Sequence, residues 1–229
     1  MDKEKKIIFP ERIEKEFIKK LPIQEFEGKI NIIKDLKDVS SAIKSLSKVT
    51  VLGFDTETRP SFKKGENNFV SLLQLSTSNE AYLFRLNYLG LPEELLNLLV
   101  DPKILKVGVA ILDDIRALQK LRKFDPNGFV ELSKIAKSLG IVTCGLRSLA
   151  AIFLSVQITK KEQLTNWDRP YFKASQSMYA ATDAWVCLEI YRFLEIEKLL
   201  PDKNICEISD YKLFRSKSKS NKIKRVTRN

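Results

Sequence analysis

The sequence predicts an α/β fold in which helices flank a mixed β-sheet. Three apolar, β-rich segments follow one another between residues 49 and 84, and two strand–helix pairs follow between residues 104 and 139. Strands joined by short turns favour antiparallel pairing, whereas strand–helix–strand units favour parallel pairing. We therefore expect five strands in a mixed sheet, with functional groups at the edge where the central strand meets the helix ends.

Hydrophobic periodicity and turn residues predict the individual elements in order. Strands are expected at residues 49–54, 69–75, 81–84, 104–110 and 129–132, and 30–33 is compatible with an additional short strand. Helices are expected at residues 10–20, 39–46, 91–100, 112–124, 133–139, 146–155 and 175–199. With no internal repeat or Gly/Ser linker, this pattern predicts one main domain.

Three regions are expected along the 229 residues: an N-terminal helical extension (1–29), the main domain (30–200) and a basic tail (201–229). The net charge of +11 is concentrated at the C-terminus, because residues 212–229 hold eight of the 40 Lys and Arg and no acid. The tail is predicted to be disordered and suited to phosphate backbones.

Several classes of protein are excluded by what the chain lacks. It has no histidine, so His-dependent triads, His-liganded zinc and His general bases are ruled out. Its three cysteines are far apart and support neither a disulfide framework nor a zinc site. No signal-peptide core or membrane-length apolar run is present, so we expect an intracellular protein, cytoplasmic or nuclear, without membrane partners.

Two carboxylates end the predicted central strand. Asp55 and Glu57 are two residues apart, so their side chains point to the same face of the strand. Carboxylates this close repel each other, and a hard divalent cation such as Mg²⁺ or Mn²⁺ would relieve that repulsion. The alternative is a polar strand end in which Asp55 caps a turn.

Neighbouring aspartates follow the next parallel strand. Helical spacing places Asp114 on the apolar face of Ile111 and Leu118, whereas Asp113 lies toward Arg116 and solvent. An acid on a buried face needs a partner, so Asp114 is a candidate ligand for a metal or its water. The alternative is that Asp114 caps the helix N-terminus.

The last predicted helix carries a further polar pair. Tyr179 and Asp183 are four residues apart, on the face that continues to Cys187 and Ile190. Buried polar groups need partners, so the pair indicates a functional site unless the two groups simply satisfy each other by a hydrogen bond. Taken together, the four carboxylates and the tyrosine indicate a shared cation site.

The motifs resemble those of the DEDD exonucleases with a tyrosine in the last motif, which belong to the ribonuclease H-like superfamily. Ribonuclease D and the exonuclease domain of the Werner syndrome helicase are the members that the chain is most similar to. The similarity covers residues 30–200 and rests on Asp55-Thr56-Glu57, Lys106-Val107-Gly108-Val109 through Asp114, Phe129-Val130-Glu131-Leu132, Leu146-Arg147-Ser148-Leu149, Asn166-Trp167 and Tyr179 through Asp183.

The resemblance implies a ribonuclease H-like sheet and a 3′–5′ exonuclease with two divalent ions, Mg²⁺ or Mn²⁺. It implies that Asp55 bridges both ions, that Glu57 and Asp183 hold the first, and that Asp114 holds the second through water. Tyr179 would orient the attacking water. The expected partner is the 3′ end of DNA or RNA, single-stranded or frayed, with nucleoside 5′-monophosphates as products.

Two questions stay open at the level of sequence. No residue separates DNA from RNA as substrate, since that choice depends on contacts with the 2′-hydroxyl group. The other reading of function is a non-catalytic nucleic-acid-binding module on a nuclease-like fold. Protein partners are unknown.

Overall fold

A computed structural model describes residues 7–61 and 68–201. Within these ranges the strands are β1 Lys29–Ile33, β2 Val51–Thr58, β3 Val70–Ser76, β4 Glu80–Arg85, β5 Leu105–Gly108 and β6 Phe129–Glu131. The helices are α1 Lys15–Ile18, α2 Leu36–Leu46, α3 Leu86–Leu89, α4 Glu93–Val100, α5 Ile111–Leu121, α6 Leu132–Ser138, α7 Leu146–Leu154 and α8 Ala174–Ile196. The basic segment from residue 202 onward lies outside the described residues.

The strands form a single mixed sheet in the order β1-β4-β3-β2-β5-β6. Strands β2, β3 and β4 follow one another in the chain, and β3 pairs antiparallel with both β2 and β4. On the other side of β2, β5 pairs with β2 in parallel, and β6 pairs with β5 in parallel. The mixed α/β class is confirmed. The strand count of five is wrong, because β1 adds a sixth strand parallel to β4, with Ile30 opposite Ala81.

Helices cover both faces of the sheet, which buries alternate residues of the central strand on opposite sides. Leu52 and Phe54 of β2 pack in the core cluster that also contains residues of α2, α4 and α5. On the other face α8 crosses β2, and its inward side packs with α6 and α7. Among the described residues, no helix is both long and apolar enough to cross a membrane.

The N-terminal region is less helical than its sequence predicts. Of the helix expected at residues 10–20, only Lys15–Ile18 is helical, with Ile18 buried and Phe17 exposed. The segment on either side instead runs along the domain, where Gln157 exchanges backbone hydrogen bonds with Pro22 and Gln24. In the described part of the N-terminal extension, the segment packs against the domain and contains a single helical turn.

Candidate functional site

The second half of β2 presents two carboxylates toward α8. Gly53, Asp55 and Glu57 alternate with Phe54 and Thr56, so the first three share the α8 face. A Cβ atom at Gly53 would lie 1.8 Å from the backbone oxygen of Ala184. The missing side chain therefore lets α8 lie directly on the strand, one residue away from Asp183.

Helix α8 completes the carboxylate cluster. Carboxylate oxygens of Asp55, Glu57 and Asp183 lie within 4.8 Å of one another. Asp183 accepts a hydrogen bond from the Tyr179 hydroxyl group one turn earlier. Both Tyr179 and Asp183 are buried. The hydrogen bond between them, which was the alternative to a functional site, is present. Its acceptor is nevertheless one of three clustered acids, so the two residues are not an isolated pair.

Helix α5 packs on the opposite face of the sheet from α8 and places Asp114 next to β2. The Thr56 hydroxyl group donates a short hydrogen bond to a carboxylate oxygen of Asp114. Asp114 does not cap the helix, whose N-cap is Ala110 without a side-chain hydrogen bond. Asp113 is exposed and pairs with Arg116 at 3.0 Å, so the predicted helix register is confirmed.

A residue that the sequence did not single out for the site holds the start of α5 in place. The Glu131 carboxylate accepts hydrogen bonds from the backbone N–H groups of Ala110 and Ile111, both at 2.9 Å, and of Ser133 at 3.0 Å. One side chain thus caps both α5 and α6. Ala110 has a left-handed backbone (φ 61°), and Glu131 supplies the cap that alanine lacks.

The clustered acids are electrostatically uncompensated. Burial, followed by repulsion from Asp114, Asp183 and Glu57, raises the pKa of Asp55 well above its usual range. Burial, followed by repulsion from Asp183 and Asp114, raises the pKa of Glu57 to about 9. At neutral pH the metal-free cluster therefore holds protons that exposed carboxyl groups would have released, and a bound cation would stabilise the ionised acids instead.

The remaining two acids are shifted less, because each has a hydrogen-bond donor. Burial raises the pKa of Asp114 to about 6, and the hydrogen bond from Thr56 opposes that rise. Burial raises the pKa of Asp183 to about 7, opposed by the hydrogen bond from Tyr179 and by the charge of Lys160.

The metal-free protein is expected to lose stability as the pH rises from 5 to 7. Carboxyl groups of the unfolded chain release their protons near pH ~4, whereas release in the folded state is delayed to about 6 at Asp114 and about 7 at Asp183. Over this range the folded state binds more protons, so its stability falls as the pH rises. Thermal unfolding in EDTA at pH 5, 6 and 7 measures the slope, and Mn²⁺ should flatten it.

The variant Asp55→Asn is the control for this slope, because it removes one charge from the cluster and leaves the others. Comparison with the variant also cancels contributions from Lys106, whose pKa is lowered by burial to about 7. Equal slopes for the wild type and Asp55→Asn in EDTA would contradict the expectation.

Asp55, Glu57 and Asp183 line a cavity of about 420 Å³, and Asp114 lies outside this lining. The cavity wall also contains basic and polar side chains that sequence reasoning did not assign to the site, among them Lys15, Arg147, Lys160 and Gln163. The three acids offer oxygen ligands, which suit hard divalent ions. The Cys187 thiol also lines the cavity, but burial raises its pKa, so it keeps its proton.

Comparison with known proteins identifies the family of this domain. A family model described as 3′–5′ exonuclease matches residues 30–198. The chain belongs to the 3′–5′ exonuclease family. All five residues predicted for the site fall inside the matched part of this exonuclease domain, and the N-terminal segment falls outside it.

Individual relatives agree with the family. A protein of Acanthamoeba polyphaga mimivirus named as a 3′–5′ exonuclease is 31% identical over 90% of the chain and 57% of its own length. The bifunctional 3′–5′ exonuclease and ATP-dependent helicase WRN of Mus musculus is 35% identical over 76% of the chain and 13% of its own length. The chain thus spans little more than half of the first relative and a small part of the second.

The fold agrees with solved structures as well. Escherichia coli ribonuclease D superposes with a TM-score of 0.67 at 22% identity, covering 73% of this chain and 44% of that one. The resemblance to ribonuclease D and the Werner helicase exonuclease that the sequence motifs indicated is confirmed.

Proposed function

We propose that the protein is a metal-dependent 3′–5′ exonuclease that releases nucleoside 5′-monophosphates from the 3′ end of DNA or RNA. The observation that carries the proposal is the convergence of Asp55, Glu57 and Asp183, with oxygens within 4.8 Å, in a domain of the exonuclease family. A non-catalytic binding module would have no need to maintain buried acids whose mutual repulsion opposes folding.

Four carboxylates would hold the divalent ions in this proposal. Asp55, Glu57 and Asp183 would hold one ion, and Asp55 together with Asp114 would hold a second. When bound, such a pair activates water and stabilises the charge that develops on the leaving 3′ oxygen. The chain itself supplies the negative charge that draws the ions in and fixes its carboxylates by hydrogen bonds from Thr56 and Tyr179.

Tyr179 acts in this proposal as a hydrogen-bond donor rather than as a base. Burial and the charges of Asp183 and Glu57 raise the pKa of its phenol, so the hydroxyl group keeps its proton at neutral pH. The proton is directed to Asp183, and Tyr179 also lines the cavity, where its hydroxyl group would orient an attacking water. Proton removal from that water is assigned to the ions.

Cleavage of a 5′-labelled single strand tests the proposal. In Mg²⁺ or Mn²⁺ we expect a descending ladder from the 3′ end and mononucleotide products, and excess EDTA should abolish both. A ladder that persists in EDTA would contradict the metal requirement. Binding of the strand without any cleavage in either metal would instead support the non-catalytic module.

The nucleic-acid preference is tested in the same assay. Matched DNA and RNA strands of one sequence differ only in the 2′-hydroxyl group and in thymine against uracil, so their ratio of kcat/KM measures recognition of the sugar. A terminal 3′-phosphate on either strand should block cleavage if the enzyme requires a free 3′ end.

A further inference from the structure

The N-terminal segment of residues 7–27, which precedes the matched family domain, is held firmly against that domain. Phe26 is buried and its backbone N–H group donates a 3.0 Å hydrogen bond to Thr182, the neighbour of Asp183 on α8. The side-chain amide of Gln157 donates to the backbone oxygen of Leu21 at 2.6 Å. Farther upstream, the Phe9 ring lies 5.1 Å from that of Phe153.

This docking brings part of the segment to the carboxylate cavity. Lys15 and Ile18 line the same cavity as Asp55, Glu57 and Asp183. Ile18 is buried and anchors the helical turn, so Lys15 is placed on the rim by a fixed element.

A second cavity of about 750 Å³ continues from the first. Both are lined by Arg147, Ile158, Thr159 and Lys160. The second adds Lys161, two acids (Glu25 and Glu162) and exposed Ile23 of the N-terminal segment. The two cavities therefore form one groove that begins at the carboxylates and passes between the N-terminal segment and the 157–163 loop.

Basic side chains from separate parts of the chain line this groove. Among the residues that the structure describes, neither Lys15, Arg147 nor Lys160 takes part in an ion pair. The Nε of Arg147 is buried without a hydrogen-bond partner. Arg147 lies where the two cavities meet, so its guanidinium group is placed beside the path that an anionic ligand would take.

We propose that the N-terminal segment forms one wall of the nucleic-acid groove and that Lys15 and Arg147 bind phosphates of the strand next to the scissile nucleotide. The inference rests on the proposed function for the position of the 3′ end at the carboxylates. The acids at the start of the groove repel a phosphodiester, and the positively charged side chains of Lys15 and Arg147 offset that repulsion. Exposed Ile23 offers an apolar surface to a base in the second cavity.

Binding and cleavage measured on the full chain test the proposal. With a 5′-fluorescent single strand in EDTA, Lys15→Ala should weaken binding about tenfold, the scale of one charge-assisted contact. The slope of log Kd against log salt should fall by about 0.7. With Mn²⁺, Lys15→Ala should raise KM to a similar extent and change kcat little, because Lys15 is not one of the residues proposed to hold the ions.

Matched variants separate a phosphate contact from a general charge effect. Lys20→Ala removes an exposed lysine of the same segment that lines neither cavity and should leave Kd, KM and the salt slope unchanged. Lys15→Arg should retain binding, and Arg147→Ala should repeat the loss seen with Lys15→Ala. Equal effects of Lys15→Ala and Lys20→Ala would overturn the proposal.

The two proposals fail in different ways. A wild-type protein that cleaves normally while Lys15→Ala and Arg147→Ala bind as tightly as it does would overturn the groove and leave the exonuclease intact. A wild-type protein that binds the strand with a slope lowered by Lys15→Ala but never cleaves would support the groove and overturn the exonuclease.

Discussion

Asp55→Ala is expected to abolish exonuclease activity, with a loss of about a thousandfold or more in kcat/KM. Asp114, Asp183 and Glu57 are all close enough to Asp55 to raise its pKa by repulsion. Asp55 is therefore the carboxylate that we propose both ions would share. Single-turnover cleavage of a labelled strand at saturating Mn²⁺ measures the loss.

The fold of this variant is expected to survive, and its metal-free form should be more stable than the wild type at pH 7. Asp55→Ala removes a buried carboxyl group on which Asp114, Asp183 and Glu57 all act by repulsion. Asp125→Ala, which removes an exposed acid elsewhere, should change neither rate nor stability. Retention of more than about a tenth of the wild-type rate by Asp55→Ala would remove Asp55 from the catalytic site.

Asp114→Asn is expected to reduce the single-turnover rate by at least about a hundredfold, whereas Asp113→Asn should have almost no effect. Asp114 accepts the hydrogen bond from Thr56, and it is close enough to Asp55 and Glu57 to raise their pKa values by repulsion. Asp113 makes only an exposed ion pair with Arg116, and such a pair contributes about 0.2–0.5 kcal/mol to stability. The two variants change the same chemistry on adjacent residues, so each controls for the other.

The measurement should be made at several Mn²⁺ concentrations. If Asp114 holds one of the ions, the rate of Asp114→Asn should saturate only at a higher Mn²⁺ concentration. A variant Thr56→Val, which removes the donor but not the carboxylate, should show a smaller loss in the same direction. A silent Asp114→Asn would show that Asp114 takes no part in the reaction.

The positions of the site residues could be predicted from the sequence because they follow local periodicity. Alternation along β2 placed Asp55 and Glu57 on one face, and helical spacing separated Asp113 from Asp114. The spacing of Tyr179 and Asp183 likewise fixed their common face on α8. Their roles in catalysis and metal binding stay predictions until the variants are measured.

The features that could not be predicted depend on contacts between distant segments. The sequence showed only that residues 30–33 are compatible with a strand, and the pairing with β4 is what makes β1 part of the sheet. Glu131 resembles an ordinary residue at the start of a helix until Ala110 comes within hydrogen-bonding distance from 21 positions away. Residues 10–20 have a helical pattern, but contacts with the domain limit the helix to one turn.

The close approach of α8 to Gly53 makes the proposed metal site depend on a residue that would bind neither metal nor substrate. The spacing between Asp55 and Asp183 is set where the backbone of Ala184 rests against a position that has no side chain. The geometry of the proposed metal site thus depends on a residue without a side chain as well as on its charged groups. A methyl group added at Gly53 would push Asp183 away from Asp55 and Glu57. All the carboxylates would still be present in the sequence, so an inspection of the reactive residues alone would miss the damage.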